Sequence, residues 1–175
     1  LAELLINKGY EVHGIIRPNL SKKETSKFWR IEKILSNLIL HGVSLENYSD
    51  LYKIISKVRP NEIYHLAAQA YDGYSFENAF YTFRINIEIT YSILSAIKNF
   101  TNKTKFFFAA SSEMFSKENN LPLNENSSFN PQSAYGISKV AGYYLTKNYR
   151  DTYKLHASNG ILFNHESPRR GFEFV

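Results

Sequence analysis

The hydrophobic positions of this chain switch repeatedly between a helical and an extended spacing. In "LAELLINK" the apolar residues recur with the helical period, and Gly9 marks a stop; "EVHGIIR" then predicts a strand. A second strand is predicted at "NLILHGVS". "NYSDLYKIISKV" has helical spacing, with Asn47 or Ser49 as the capping residue. "EIYHLAA" reads as a third strand, and residues 76 to 99, with "FRINIEITYSILSAIKN", as a long helix. "KFFFAASS" is a nearly continuous apolar run, the mark of a strand buried on both faces. The polar segment "KENNLPLNENSSFNPQS", with two prolines, predicts a loop. A helix from about Ala134 to Tyr153 and a last strand in "HASNGILFN" complete the pattern.

Strands alternating with helices imply an α/β fold with a doubly wound parallel sheet. The pattern shows no repeats and no second domain, so residues 1–175 are expected to be a single, partial dinucleotide-binding (Rossmann-like) domain. Such a unit opens with a strand, a Gly-rich turn and a helix. This chain starts at the helix, without methionine, and no G-x-G-x-x-G occurs among its eight glycines. The expectation is a fragment that lacks the first strand, whose place is mid-sheet between the strands of "EVHGIIR" and "EIYHLAA".

Composition narrows the class. With 175 residues, 43% of them hydrophobic, the chain is long enough to bury a core. It has no cysteine, hence no disulfide framework or thiolate metal site, and no His/Asp/Glu cluster has the spacing of metal ligands. No apolar run reaches the length of a membrane span, and the first residues lack the order of a signal peptide; a cytoplasmic enzyme is expected. The net charge of +5 is spread over lysines such as Lys22, Lys53, Lys103, Lys147 and Lys154, which form no stripe for nucleic acid and read as solvated faces.

Two short motifs carry candidate chemistry. In "SAYGISK", Tyr135 and Lys139 are four positions apart and share one helix face. A fixed ammonium favours a phenolate. Lowering a phenol from its usual value of about 10 by three units takes roughly 4 kcal/mol, which demands a cleft and further help such as a nicotinamide cation. The result is a base able to take a hydroxyl proton while hydride leaves the same carbon. Taken alone, Y-x-x-x-K is also what many solvated helix faces carry. The second motif is "ASSEMF", at the end of the buried strand. If the backbone stays extended, Ser111 and Glu113 face one cavity beyond the carboxyl end of a strand, where such sheets bind ligands. The alternative is a turn, with a serine serving as a helix cap.

Together, a strand, S-S-E, a polar loop and Y-x-x-x-K on a helix resemble the extended short-chain dehydrogenase/reductase family. Within it, "LAELLINKGYEVHGIIR", "EIYHLAAQ", "SSEMF", "SAYGISK" and "NGILFNHESPRRG" resemble the GDP-mannose 4,6-dehydratases. The resemblance runs from Leu1 to Val175, with a divergent patch around residues 18 to 36. It implies an internal redox cycle on GDP-mannose. Hydride passes from C4 of the mannose ring to NADP, the ketone acidifies C5, water leaves across C5 and C6, and hydride returns to C6. The implied product is GDP-4-keto-6-deoxymannose, a first step towards GDP-fucose and other deoxysugars.

The resemblance also implies roles. Tyr135 is the base at the C4 hydroxyl, and Lys139 holds the nicotinamide ribose and tunes Tyr135. Ser111 bonds the C4 oxygen, and Glu113 takes the C5 proton. Arg17 pairs with the NADP 2′-phosphate, while Ser44 and Leu45 fall near the adenine. Leu66, Ala67, Ala68, Gln69 and Ala70 run beside the cofactor, and Tyr81, His165 and Arg170 contact it. Asn86 falls near the active site, and Asn164 contacts substrate. A homo-oligomer, dimer or tetramer, is implied as well, together with a substrate domain on the C-terminal side.

Several positions depart from the family's pattern. Pro18 stands in place of a second Arg, before a longer loop "NLSKKETSKFWR", and Ser44 in place of an Asp. Ala70 and Tyr71 replace a Ser-His pair, Ile87 and Ile89 replace glycines, and Ser116 replaces a Gly. These changes bear on the choice of NADP over NAD and on tetramer contacts. Three readings follow: a dehydratase, another nucleotide-sugar enzyme such as a 4-epimerase, or an inactive truncated remnant. An epimerase does not need an acid/base at Glu113, which favours the dehydratase.

Overall fold

The computed structural model describes residues 1–17, 28–44, 47–69, 79–115, 122–167 and 169. Pro18, Leu45, Ala70, Tyr71, Ser116 and Arg170 lie outside the described residues. The chain divides into two compact units, residues 1–50 with 166–175, and residues 51–165.

In the first unit, helix α1 (Ala2–Asn7) ends before Gly9, the stop expected from the sequence, which adopts a left-handed φ of 82°. Strand β1 (Val12–Ile16) pairs in parallel with β2 (Leu38–Gly42), Val12 opposite Leu38 and Ile16 opposite Gly42. The pairing runs one residue further, because Val43 N–H donates to Ile16 O at 2.9 Å. A 3-10 run, Glu32–Asn37, leads into β2. It buries Ile34 alone, so it leaves no periodic trace in the sequence and was not expected.

Helix α2 (Tyr48–Val58) starts at Asn47, whose Oδ1 accepts from Ser49 N–H at 3.2 Å. It buries Leu51 and Ile55, one turn apart. In the second unit, β3 (Glu62–His65), β4 (Lys105–Ser111) and β5 (Ala157–Leu162) form a sheet in that order, all parallel. β4 is central, and Phe106, Phe108, Ala109, Ala110 and Ser111 are all buried, as its apolar run predicts. Among the described residues β1 and β3 are each an edge strand of their own sheet.

Parallel neighbours cannot be joined by hairpins, so long helices make the crossovers. Helix α3 (Ala79–Phe100) buries Ile85, Ile89, Ile93 and Ile97 at intervals of one turn, each contributing about 1.5–3 kcal/mol by leaving water. It packs along α4 (Ala134–Tyr153). α4 begins at Ser133, whose Oγ accepts from Gly136 N–H at 3.0 Å. It ends at Lys154, which adopts a left-handed φ of 56° while its Nζ donates to Asp151 O at 2.8 Å. α4 lies on β4 and β5. A Cβ on Gly142 would stand 2.3 Å from Phe108 Cζ, so this helix meets the sheet closely only because that side chain is missing. Among the described residues, no helix is long and apolar enough to cross a membrane.

Candidate active site

Ser111 is the last residue of β4, and there the strand stops: Ser112–Met114 form a 3-10 turn. The alternation expected for an extended Ser111–Glu113 segment therefore does not apply. Ser111 Oγ instead accepts from Glu113 N–H at 3.2 Å, so the serine caps the turn, which was the alternative reading. Its side chain is buried, whereas Glu113 is exposed. Met114 anchors the turn in the core, and Met114 O accepts from Asn130 N–H at 2.9 Å, bringing the chain back to the start of α4.

The first turn of α4 lies directly against this corner. A Cβ on Gly136 would stand 2.4 Å from Glu113 O. The missing side chain lets the Glu113 peptide lie on the Tyr135–Gly136 backbone, which sets Glu113 beside the turn that carries Tyr135. Lys139, one turn on, is 3% exposed, and its Nζ donates to Ala109 O at 2.7 Å. The ammonium lies 5.5 Å from the centre of the Tyr135 ring and 4.9 Å from that of Phe108. Burial pulls its pKa down from 10.5 to about 8, so it remains charged at neutral pH. An ammonium has three donors, and among the described residues Ala109 O is the acceptor it meets.

A buried polar network backs this pair. Asn86 Oδ1 accepts from Gln69 N–H at 2.9 Å, and its Nδ2 donates to Ser138 Oγ at 2.9 Å. Ser138 Oγ in turn donates to Tyr135 O at 2.7 Å. On α3, the Thr90 hydroxyl donates to Asn86 O at 2.8 Å. That uses its single hydrogen, so His65 Nε2, 3.0 Å from Thr90 Oγ1, carries the proton of that contact. Burial first, and the Lys139 charge second, push the His65 pKa down to about 3, so this histidine is a neutral brace. Sequence reasoning named neither Ser138 nor His65. The available signals were the serine three residues after Tyr135 and a histidine closing an apolar strand.

The remaining expected positions divide between the units. Arg17, directly after β1, is exposed; Ser44 follows β2 by two residues and is half-buried. Both belong to the first unit. In the second, Leu66 and Ala67 are exposed and Ala68 and Gln69 half-buried just past β3. Asn164 and His165 are exposed past β5, where His165 Nδ1 donates to Phe163 O at 3.0 Å. With Ser111 and Glu113 these groups follow the carboxyl ends of three adjacent parallel strands, the edge at which such sheets take ligands. Tyr81 is exposed in the first turn of α3.

A parallel α/β sheet, with a serine closing its central strand and a Tyr/Lys pair on the next helix, is the arrangement that the resemblance to the extended short-chain dehydrogenases/reductases implies. The fold is shared by the UDP-glucose 4-epimerase of Brucella ovis in complex with NAD, with a TM-score of 0.73 and 23% identity over 88% of this chain and 44% of that one. Within the class, the family model for GDP-mannose 4,6 dehydratase matches residues 1–175, and the chain belongs to this family. It is 44% identical over 186 residues to GDP-mannose 4,6 dehydratase 2 of Caenorhabditis elegans, covering 100% of this chain and 48% of that protein. To the GDP-mannose 4,6 dehydratase of Homo sapiens it is 43% identical over 182 residues, covering 100% and 49%. The chain thus spans about half the length of the curated relatives it matches.

Proposed function

We propose that the whole protein is a cytoplasmic, homo-oligomeric GDP-mannose 4,6-dehydratase that converts GDP-mannose to GDP-4-keto-6-deoxymannose with NADP. The observation that carries this reading is the convergence of the Ser111–Glu113 corner on the Tyr135–Lys139 turn, in a chain that matches this family throughout.

The residues present fit a nicotinamide dinucleotide. Lys139 is a buried cation whose hydrogen bond among the described residues goes to Ala109 O, of a charge suited to ribose hydroxyls, and the short side chains of Ala67 and Ala68 follow β3 directly. Arg17, with its fixed positive charge, suits a 2′-phosphate and favours NADP over NAD. When bound, the dinucleotide supplies removal and return of hydride. The chain's own residues do the acid–base work. Tyr135, beside the Lys139 ammonium, takes the C4 hydroxyl proton, and Ser111 hydrogen-bonds the C4 oxygen. Once C4 is a ketone, C5–H is acidic, and Glu113 takes that proton and returns it to the departing C6 hydroxyl, which leaves as water. An epimerase has no use for this last base, so Glu113 favours dehydration.

The test is to incubate the purified whole protein with GDP-mannose and NADP and to look for a product lighter by one water in mass spectrometry. Tyr135→Phe should lower turnover by about 10²–10⁴-fold, the usual worth of a positioned acid–base group, while nucleotide binding persists. No product from the wild type overturns the proposal. Near-wild-type turnover in Tyr135→Phe removes Tyr135 as the base.

A further inference from the structure

We propose that Ser138 is a positioning residue for the Tyr135–Lys139 pair, acting with Asn86 as a clamp between the first turn of α4 and the Gln69 backbone beyond β3. The inference rests on the reading that Tyr135 and Lys139 carry the chemistry. Ser138 is 1% exposed and lies between them in sequence. Its hydroxyl donates to Tyr135 O, within its own turn, and accepts from Asn86 Nδ2, 52 residues away.

The donors and acceptors have one consistent assignment. Gln69 N–H requires an acceptor, so Asn86 presents Oδ1 to it and Nδ2 to Ser138. Nδ2 also reaches Gln69 O at 3.3 Å, so the amide holds both sides of one peptide segment. A flipped amide would set an oxygen against Ser138 Oγ, whose only proton is committed to Tyr135 O. The peptide of Asn86 is steadied from behind by Thr90 and the neutral His65. Gln69 closes the segment that runs past β3 towards the ligand edge, and Ser138 adjoins Lys139. The clamp therefore links the residues expected beside the dinucleotide to the two groups that work on the substrate. A rotation of this turn of α4 would move Tyr135 and Lys139 together.

A plainer role is available: Ser138 is small, and α3 and α4 need small residues where they pack. Ser138→Ala separates the two roles, because alanine fills the same space and lacks only the hydroxyl. As filler, alanine leaves catalysis per folded molecule unchanged. As part of the clamp, the hydroxyl matters through alignment, and small misplacements of reacting groups are costly in rate.

The experiment compares the whole protein with Ser138→Ala, Asn86→Ala and the double variant. It measures kcat, KM for GDP-mannose, the pH profile of kcat and the folded fraction. Ser138→Ala is expected to lower kcat about tenfold with KM within about twofold, since alignment acts on the transition state more than on binding. The acid limb of the profile should move up by about half a pH unit as the phenolate loses its aligned cation. The double variant should be no worse than the poorer single variant, because the two residues act as one unit. Wild-type kcat and pH profile in Ser138→Ala, or additive losses, overturn the clamp. If the wild type makes no dehydrated product, the functional reading fails instead. The titration of Tyr135 then still tests the clamp, read as tyrosinate difference absorbance between proteins with and without Tyr135. Ser138→Ala should raise that midpoint, and an unchanged midpoint overturns the proposal whatever the reaction.

Discussion

Replacing Lys139 with methionine should make the whole protein more stable at neutral pH while abolishing its activity. The Lys139 ammonium is almost fully out of water, and burial lowers its pKa from 10.5 to about 8. Between these values the unfolded chain holds more protons than the folded one, so this group makes stability rise with pH across that window. Below about pH 8 both states are protonated, and the folded state bears the full cost of the buried charge, about 3 kcal/mol for a fall of this size. Methionine has a similar unbranched stem and no charge, but it cannot donate to Ala109 O, a loss of roughly 0.5–1.5 kcal/mol. The expected gain is about 2 kcal/mol at pH 7, seen as a rise in melting temperature of a few degrees. Thermal and urea melts of both proteins at pH 7 and about pH 9.5 check the sign, because the advantage should shrink as wild-type Lys139 loses its proton. A variant less stable than wild type at pH 7, or a gap that does not change with pH, would refute the view of Lys139 as a desolvated cation held in place for catalysis.

Glu113→Gln should separate the two halves of the proposed reaction. Oxidation at C4 needs no base at C5, so reduced nicotinamide should accumulate on the enzyme, absorbing at about 340 nm, with little product; normal turnover would assign proton removal to another residue. Arg17→Ala should narrow a modest preference for NADP over NAD, measured as the ratio of their dissociation constants; equal binding by the wild type would remove the argument from Arg17. The 175-residue chain expressed alone should aggregate and bind neither NADP nor GDP-mannose tightly, since β1 and β3 are each an edge strand of their own sheet among the described residues and unpaired edges recruit other chains. Soluble material with a cooperative melt that shifts upward with NADP would contradict this.

Much of the architecture was legible because it is written in local periodicity. The helix from Ala134 to Tyr153 has a serine cap before it and a continuous helical pattern within it, and the structure ends it at the same residues. The buried strand Lys105–Ser111 announces itself as an unbroken apolar run because both of its faces are covered. The Tyr135–Lys139 pair was legible for the same reason: four residues make one turn, whatever surrounds it. The functional reading came from motifs taken together, "SSEMF", "SAYGISK" and "NGILFNHESPRRG", and not from periodicity.

Tertiary structure decided what local pattern does not encode. The end of the strand at Ser111, and the placement of Glu113 O against Gly136 more than twenty residues on, are seen only in the folded chain. The clamp joins Asn86 to the Gln69 backbone and to Ser138, 17 and 52 residues away, so the Asn86 side chain finds these partners outside its own segment. The lowered pKa of Lys139 likewise arises from packing around its position. Sequence spacing sets which face of a helix a side chain takes; burial and hydrogen-bond partners arise where distant segments meet, and in this protein they turn a common Y-x-x-x-K spacing into a buried cation beside a phenol.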